Sequence, residues 1–361
     1  MTAKVPGPLF HFRGHKSGVT ALASSNSSLI SGDEEGTIII WNLSTFRRLK
    51  TWSRICTSKI QSLRIIKLKI DSVIRDILVT QSRDGVHLIV CDYSQVPDKP
   101  PIVDHFPTYD SLFSRGDATS IDENTAMLAY PSYLENYLVT VRYLGPDAKT
   151  LISGSANRSD SDSKKSHPNV FDIVILENPI QAQSHNLFVA YEDGCIVVYA
   201  VNPESTRKLP ELNVTGLRID VVKQFNFGIS DFISAFDVKL ISDNYVIVCG
   251  CPKKDIMFSS CPTDFASDEK TEKIVLKKQG SSAISIRDDL RLVAIAGWDN
   301  TVRLYSLKTK KHLATINDHL KQIHDILFVK KATENVSNSN SGNYLMYCAS
   351  LDGTISVFDL Y

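Results

Sequence analysis

Apolar and polar positions alternate in short runs along this chain, and the runs come in pairs around tight acidic turns. Near the start, Leu29-Ile30-Ser31-Gly32 leads through Asp33-Glu34-Glu35-Gly36 into Thr37-Ile38-Ile39-Ile40-Trp41-Asn42. At the far end, Cys348-Ala349-Ser350-Leu351 leads through Asp352-Gly353 into Thr354-Ile355-Ser356-Val357-Phe358-Asp359. Period-two alternation reads as strand, and the glycine reverses the chain without a Cβ penalty. Each phrase is therefore a hairpin, and its recurrence over such a separation predicts an array of repeats.

Further copies lie between these two. Ile77 to Gly85 followed by Val86 to Asp92 is one, and Leu187 to Gly194 followed by Cys195 to Tyr199 is another. Leu292 to Tyr305 is a fifth, turning at Asp299-Asn300. Two weaker copies run from Thr125 to Leu144, without an Asp-Gly turn, and from Tyr245 to Cys251 followed by Asp255 to Ser259. Seven hairpin units in 361 residues average about 52 residues each. Small sheets of this kind cannot bury both faces alone, and stacking them around an axis solves that problem.

The residues around the turns resemble the WD40 repeat: Gly14-His15, Ser31 and Trp41 fall where that family has a histidine, a hydroxyl and a tryptophan joined by buried hydrogen bonds. The resemblance implies an all-β, seven-bladed WD40 β-propeller spanning residues 1–361 as one domain. It assigns structural roles to His15, Ser31, Glu35 and Trp41 in blade one, with Glu35 standing where the family has Asp. His319 takes the histidine position of the last blade. Asp84, Asp193, Asp299 and Asp352 read as turn formers rather than a catalytic carboxylate set. Blade two closes on Cys91, blade four on Tyr199, blade six on Tyr305 and blade seven on Phe358, so the family's tryptophan is kept poorly. Packing is expected to hold most blades, each surviving polar bond adding about 1 kcal/mol.

The chain stops after what would be the third strand of the last blade, while Pro8 to Arg13 forms an orphan strand before blade one. The expected closure pairs this N-terminal strand into the last blade and removes an exposed edge. The WD40 period is about 40–45 residues, so the surplus length is expected in loops near 155–169, 203–218, 262–273 and 330–343. The first should lie on the face that carries Gly14-His15, and the other three on the opposite face.

Composition narrows the function. Hydrophobic residues make up 43%, which fits a chain with a full core. No run approaches the roughly 18 apolar residues of a membrane span. Met1 to Pro6 has no apolar leader core, and seven scattered cysteines suggest reduced thiols, so an intracellular protein is expected. The formal net charge is +0, whereas a nucleic-acid binder normally carries a basic excess. Cys249, Cys251 and Cys261 lack the paired spacing of a zinc site and read as buried thiols, so no cofactor or metal is expected. The basic runs at Arg47 to Lys50 and Lys308 to Lys311 read as solvated edges, and Ser159 to Ser163 as a solvated loop open to phosphorylation. No phosphate loop, serine elbow or His-Glu-x-x-His motif is present in the sequence.

Two stretches, Pro8 through Trp41 and Ala296 through His319, are similar to the ASTRA-associated protein 1 family, whose animal branch is named guanine nucleotide-binding protein subunit beta-like protein 1. That resemblance implies a non-catalytic scaffold subunit of the nuclear ASTRA complex, acting in chromatin regulation and in maturation of PI3-kinase-like kinases. The implied partners are proteins: Tel-two/Tti-type co-chaperones, RuvB-like ATPases and a PI3-kinase-like protein, with the propeller monomeric inside the assembly and in contact with neither nucleic acid nor membrane. A peptide-reading adaptor, recognising histone tails or phosphopeptides, is the alternative; aromatic or arginine residues around one end of the axis would favour it. A G-protein β-type subunit would need an N-terminal helix, for which the residues before the first strand leave no room.

Overall fold

A computed structural model describes residues 7–360 except 26, 94–96, 109–113, 136, 159–167, 210–213, 230, 268 and 332–343; side chains at 204–209 and 214–216 are also outside the description. Its strands form seven four-stranded antiparallel sheets. The innermost strands are Val19–Ser24, Ser62–Ile70, Asp117–Ser120, Val170–Glu177, Ala235–Ile241, Ser281–Ile286 and Ile323–Lys330, one for each of blades one to seven. In blades one to six the strands follow one another outwards in chain order. The only helical turn among the described residues is Pro146–Ala148, between blade three's outer strands.

The last blade is assembled from both ends of the chain. Phe10–Arg13 pairs antiparallel with Thr354–Leu360, placing Phe10 opposite Val357 and Phe12 opposite Ile355. Phe12 is buried, and its ring meets those of Trp41 and Tyr347 at 5.1 and 6.4 Å. One apolar cluster thus joins the N-terminal strand, blade one (Leu29, Ile39, Trp41) and blade seven (Tyr347, Val357). Burying an aromatic or aliphatic side chain contributes about 1.5–3 kcal/mol, so this shared cluster stabilises the closed ring.

Similar clusters fill the other inter-blade spaces. Leu187, Val189 and Tyr199 of blade four pack on Val139, Val141 and Tyr143 of blade three, and Phe188 and Val198 pack on Val238 and Ile247 of blade five. The innermost strands add polar stitches between neighbours. Asp325 accepts the Leu22 amide at 2.8 Å, Asp117 accepts Ile175 at 2.8 Å, and Asp237 accepts Ile286 at 2.7 Å. A backbone amide facing the channel would otherwise lack a partner across the blade boundary.

Two expected loops are partly strand. Residues 203–218 belong to a long hairpin, Cys195–Leu209 with Val214–Asn226, in which Thr206 lies opposite Leu217 and Leu209 opposite Val214. The pairing slips between Val201 and Thr206, so Pro203 sits at a bulge where its missing N–H breaks no ladder bond. Within 262–273, Lys270–Val275 is the outer strand of blade five, leaving a short turn after Pro262. Most of the segments expected near 155–169 and 330–343 lies outside the described residues.

Candidate functional site: the channel mouth and the turns around it

The turn of blade one is built by a relay of side chains. Trp41 Nε1–H donates to Ser31 Oγ at 2.8 Å, Ser31 Oγ lies 2.7 Å from His15 Nε2, and His15 Nδ1 lies 2.9 Å from Asp33 Oδ2. One consistent assignment runs every donor the same way: indole to hydroxyl, hydroxyl to imidazole, imidazole to carboxylate. Asp33 also accepts the amides of Glu35 and Thr37 at 3.0 and 2.8 Å. Burial alone would raise its pKa, but the hydrogen bonds from His15 and these amides hold it below the usual carboxylate value. The acid of this relay is therefore Asp33 and not Glu35, whose side chain is exposed and which contributes only its backbone N–H. The four-residue turn lets the strand residue Asp33 reach back to His15, while Glu35 sits at the outer bend.

Gly36 completes that turn. Its φ is +75°, and a Cβ there would lie 2.1 Å from the Cys56 carbonyl oxygen, so the position accepts glycine alone.

The last blade keeps the histidine, hydroxyl and acid of the relay but takes the hydroxyl from another strand and the acid from the turn, and has no indole. His319 Nδ1 lies 2.9 Å from Asp352 Oδ2, and its Nε2 lies 2.7 Å from Ser356 Oγ. The hydroxyl comes from the third strand, and buried Cys348 occupies the second-strand position that Ser31 fills in blade one. Phe358 packs in the tryptophan position, fully buried. Although burial opposes it, hydrogen bonds from His319 and Thr354 hold Asp352 far below its ordinary pKa.

Three other blades keep the acidic turn and change its partner. Asp84 accepts the Thr57 amide, and the Thr57 hydroxyl at 2.7 Å. Asp193 accepts Arg158 Nη1 at 2.5 Å; the guanidinium stands 5.8 Å from the Tyr191 ring centre, and Tyr191 and Tyr199 share a buried hydroxyl pair at 2.6 Å. Arg158, Asp193, Tyr191 and Tyr199 thus rebuild the relay of blade four from different groups. Asp299 takes both Arg303 Nη atoms, at 3.0 and 2.5 Å, and the Thr301 hydroxyl at 2.8 Å. Tyr305 is buried at the end of blade six with its ring edge-on to His312 at 5.3 Å. Residues His15, Ser31, Trp41, Asp84, Asp193, Asp299, Tyr305, His319, Asp352 and Phe358 are thus dispersed around the ring, each stabilising its own blade; they do not converge on one site.

The groups that do converge line the axis. The channel wall carries Arg64, Asp172, Asp237, Lys239 and Asp325. Arg64 Nε bonds Asp117 at 2.5 Å, and although burial opposes its charge, Asp117 and Asp325 raise its pKa above the ordinary arginine value. Burial pushes Asp172 up to about 7, with Arg115 and Arg64 pulling the other way, and pushes Asp237 up to about 6 against Lys239. A signal for the carboxylates was present in the sequence: an Asp followed by Ile or Val inside an apolar run, as in Asp172-Ile173, Asp237-Val238 and Asp325-Ile326.

On the face that carries His15, the channel widens into a cavity of about 750 Å³ formed largely by the connections into the innermost strands. Its lining includes Lys59, Arg115, Phe171, Phe232, Trp298 and His324. Arg115 reaches from blade three across the mouth to blade seven, where Nη2 donates to the His324 carbonyl at 2.8 Å. Lys59 Nζ lies 3.2 Å from His324 Nδ1. Burial and the two cations press His324 down to about 3, so its imidazole is neutral and accepts from Lys59. Burial and Arg115 likewise press Lys59 down to about 8. Phe171 and Phe232 stack across the blade-four and blade-five connections at 4.7 Å and 24°. Cys249, Cys251 and Cys261 are buried free thiols within blade five. Among the described residues no three His, Cys, Asp or Glu side chains are placed to hold a metal.

Comparison with known proteins agrees with this architecture. Residues 6–42 match the family model described as "WD domain, G-beta repeat". The chain is 23% identical over 366 residues to guanine nucleotide-binding protein subunit beta-like protein 1 of Mus musculus, covering 99% of this chain and 97% of that protein. It is 23% identical over 389 residues to ASTRA-associated protein 1 of Schizosaccharomyces pombe, covering 99% and 100%. With the Penicillium rubens protein of the same name the identity is 25%, covering 89% and 80%. The crystal structure of Saccharomyces cerevisiae Sqt1 superposes with a TM-score of 0.63 at 11% identity, covering 99% of this chain and 100% of that one, and shows the shared fold. The chain is a seven-bladed β-propeller whose residues 6–42 match a WD40 repeat, and it is similar over nearly its whole length to ASTRA-associated protein 1.

Proposed function

We propose that this propeller is a non-catalytic scaffold subunit of an ASTRA-type assembly. The observation that carries the reading is the extent of the likeness: it covers 99% of this chain and the whole of a protein whose name states association with ASTRA. The architecture suits the role, because a closed ring holds loops from seven blades in fixed relative positions. In this reading the protein works in the nucleus, in chromatin regulation and in maturation of PI3-kinase-like kinases. Its partners are Tel-two/Tti-type co-chaperones, RuvB-like ATPases and a PI3-kinase-like protein. The relays account for His15, Asp33, His319 and Asp352 as structural groups, so these residues are not assigned to chemistry. Purification of the tagged full-length chain from cells, followed by mass spectrometry, tests the reading. Recovery of co-chaperones, RuvB-like ATPases and a PI3-kinase-like protein in stoichiometric amounts is expected; recovery of the chain alone, or with an unrelated assembly, overturns it.

A further inference from the structure

Most interior or partly buried cations of the ring have a carboxylate partner: Arg64 with Asp117, Arg287 with Asp289, Arg303 with Asp299, Lys239 with Asp288. Lys59 and Arg115 differ. Their bonds go to a neutral imidazole and to a backbone carbonyl, and among the described residues neither has a carboxylate within ion-pair distance. Both stand at the channel mouth, close enough for Arg115 to lower the Lys59 pKa. Glu34 favours the charge on Lys59, and Arg115 favours the charge on the buried Asp172 and Asp325, but no carboxylate among the described residues bridges the two cations, and two like charges held together in a partly dehydrated cavity gain from an anion that does. The lining also offers the stacked Phe171 and Phe232, the Phe171 carbonyl accepting the Arg115 backbone amide at 3.0 Å, and Trp298, 40% exposed. Trp298 is held there by its backbone: a Cβ on Gly280 would come within 2.2 Å of the indole, so only glycine lets the ring lie flat over that turn.

We propose that this mouth captures an extended acidic segment of a partner protein, an Asp or Glu side chain bridging Lys59 and Arg115 while a neighbouring aromatic or aliphatic residue packs on Phe171, Phe232 and Trp298. The proposal rests on the reading of the ring as an interaction platform and adds to it one address and one ligand chemistry. The cavity has the volume of a site for several side chains, about 300–1,000 Å³ being usual for binding pockets. Charge selects a carboxylate over a phosphate. Glu192 and Asp172 line the same cavity, so every negative charge a ligand brings meets these walls as well as the two cations, and a carboxylate adds less repulsion than a phosphate dianion. The bridging geometry also favours Arg115, whose five-donor guanidinium gives only one Nη2–H, to His324, among the described residues.

The experiment is selection of a random dodecapeptide phage library on the intact protein, followed by fluorescence polarisation with the enriched peptides made synthetically. Enrichment of an Asp or Glu next to an aromatic or branched aliphatic residue is expected. Replacing that acid by its amide should weaken binding at least tenfold, and so should Lys59→Met and Arg115→Met in the protein, Lys59→Met with an unchanged thermal midpoint and Arg115→Met with a lowered one, since it loses the bond to the His324 carbonyl. Lys59→Met is the decisive variant, because it keeps the stem and disturbs no backbone bond. Failure to enrich any peptide, enrichment of sequences without acids, a requirement for phosphoserine, or undiminished binding to folded Lys59→Met overturns the proposal. The same variant, tagged and purified from cells, separates the two readings. Intact co-purification without peptide binding sinks the mouth site alone; peptide binding without co-purification of the assembly sinks the scaffold assignment alone.

Discussion

Ser356 Oγ stands 2.7 Å from His319 Nε2, the same separation that Ser31 keeps from His15, although the two hydroxyls come from different strands of their blades. The histidine needs a hydroxyl on Nε2 and is indifferent to which strand supplies it. Ser356→Ala should therefore destabilise the protein by about 1–3 kcal/mol, the cost of leaving a buried ring nitrogen without its partner. Cys348→Ala, which removes the side chain at the position equivalent to Ser31, tests the alternative that the second strand matters for polarity. Because the Cys348 thiol also hydrogen-bonds the Ser356 hydroxyl, it should lower stability through packing and that weak bond, while the Ser356 to His319 bond persists and the His319 ring signals in a two-dimensional nitrogen spectrum shift far less than in Ser356→Ala. Urea unfolding of both variants checks the pair.

The acid of blade one is decided by geometry in the same way. Asp33 accepts three hydrogen bonds, from His15, Glu35 and Thr37, whereas the Glu35 side chain is exposed. Asp33→Ala should cost about 2–3 kcal/mol, and Glu35→Ala should stay within about 0.5 kcal/mol of the parent, as surface changes usually do. Equal losses in urea unfolding would reverse the assignment.

Trp41 combines a packing role with a polar one. It is 3% exposed, lies against Phe12 and donates to Ser31. Trp41→Ala should lose about 3–5 kcal/mol. Trp41→Phe should lose far less, about 1–2 kcal/mol, since Phe358 already fills the corresponding place in the last blade without an indole. A thermal midpoint unmoved by Trp41→Ala would mean the ring seam does not depend on this cluster.

Much of the ring was readable from hydrophobic alternation and from the glycine turns, because those features act locally. Leu29 to Trp41 and Cys348 to Phe358 repeat a pattern that only a hairpin satisfies, and Leu9, Phe10 and Phe12 supply the missing strand. What resisted reading were contacts made at a distance. Asp33 and Glu35 are both acids in one turn, and only the fold shows which one reaches His15. Arg158 and Tyr191 replace the histidine and serine of blade four with groups of different length, so no residue pattern survives to be matched. Pro203 looks like a chain break but sits at a bulge inside a long hairpin. Lys59, Arg115 and His324 come from three blades and are brought together only by ring closure.

Ring closure itself is open to test. Removing residues 1–13 takes away the strand that covers Thr354–Leu360, and with it the Phe12 contacts to Trp41 and Tyr347. The uncovered strand would present a free edge beside a large apolar surface. The truncated protein should be insoluble or elute as heterogeneous oligomers in size exclusion with light scattering, and the full chain should not. A soluble monomeric truncation with an unchanged thermal midpoint would show that the N-terminal strand is dispensable.

The channel carboxylates predict an unusual dependence on pH. Burial raises Asp237 to about 6, above an unfolded value near 3.8, so between these two values the folded state binds the extra proton. The Asp237 contribution to stability is then most favourable below the unfolded value and declines as pH rises through the folded one. Asp33 and Asp352 run the other way: their lowered values give stability above pH about 4 that is lost in stronger acid. Buried His324, pressed down to about 3, also loses stability on acidification, which masks the Asp237 effect in the parent curve. Comparison with Asp237→Asn removes the masking, because nothing titrates at that position; the amide keeps only one of the two oxygens that accept the Ile286 and Val238 amides, a loss that does not vary with pH. The variant should gain stability relative to the parent steadily from pH 4 to pH 6 and hold that gain above it. Parallel urea melts across this range measure the difference, and a gap that stays constant with pH would place the Asp237 pKa at its ordinary value.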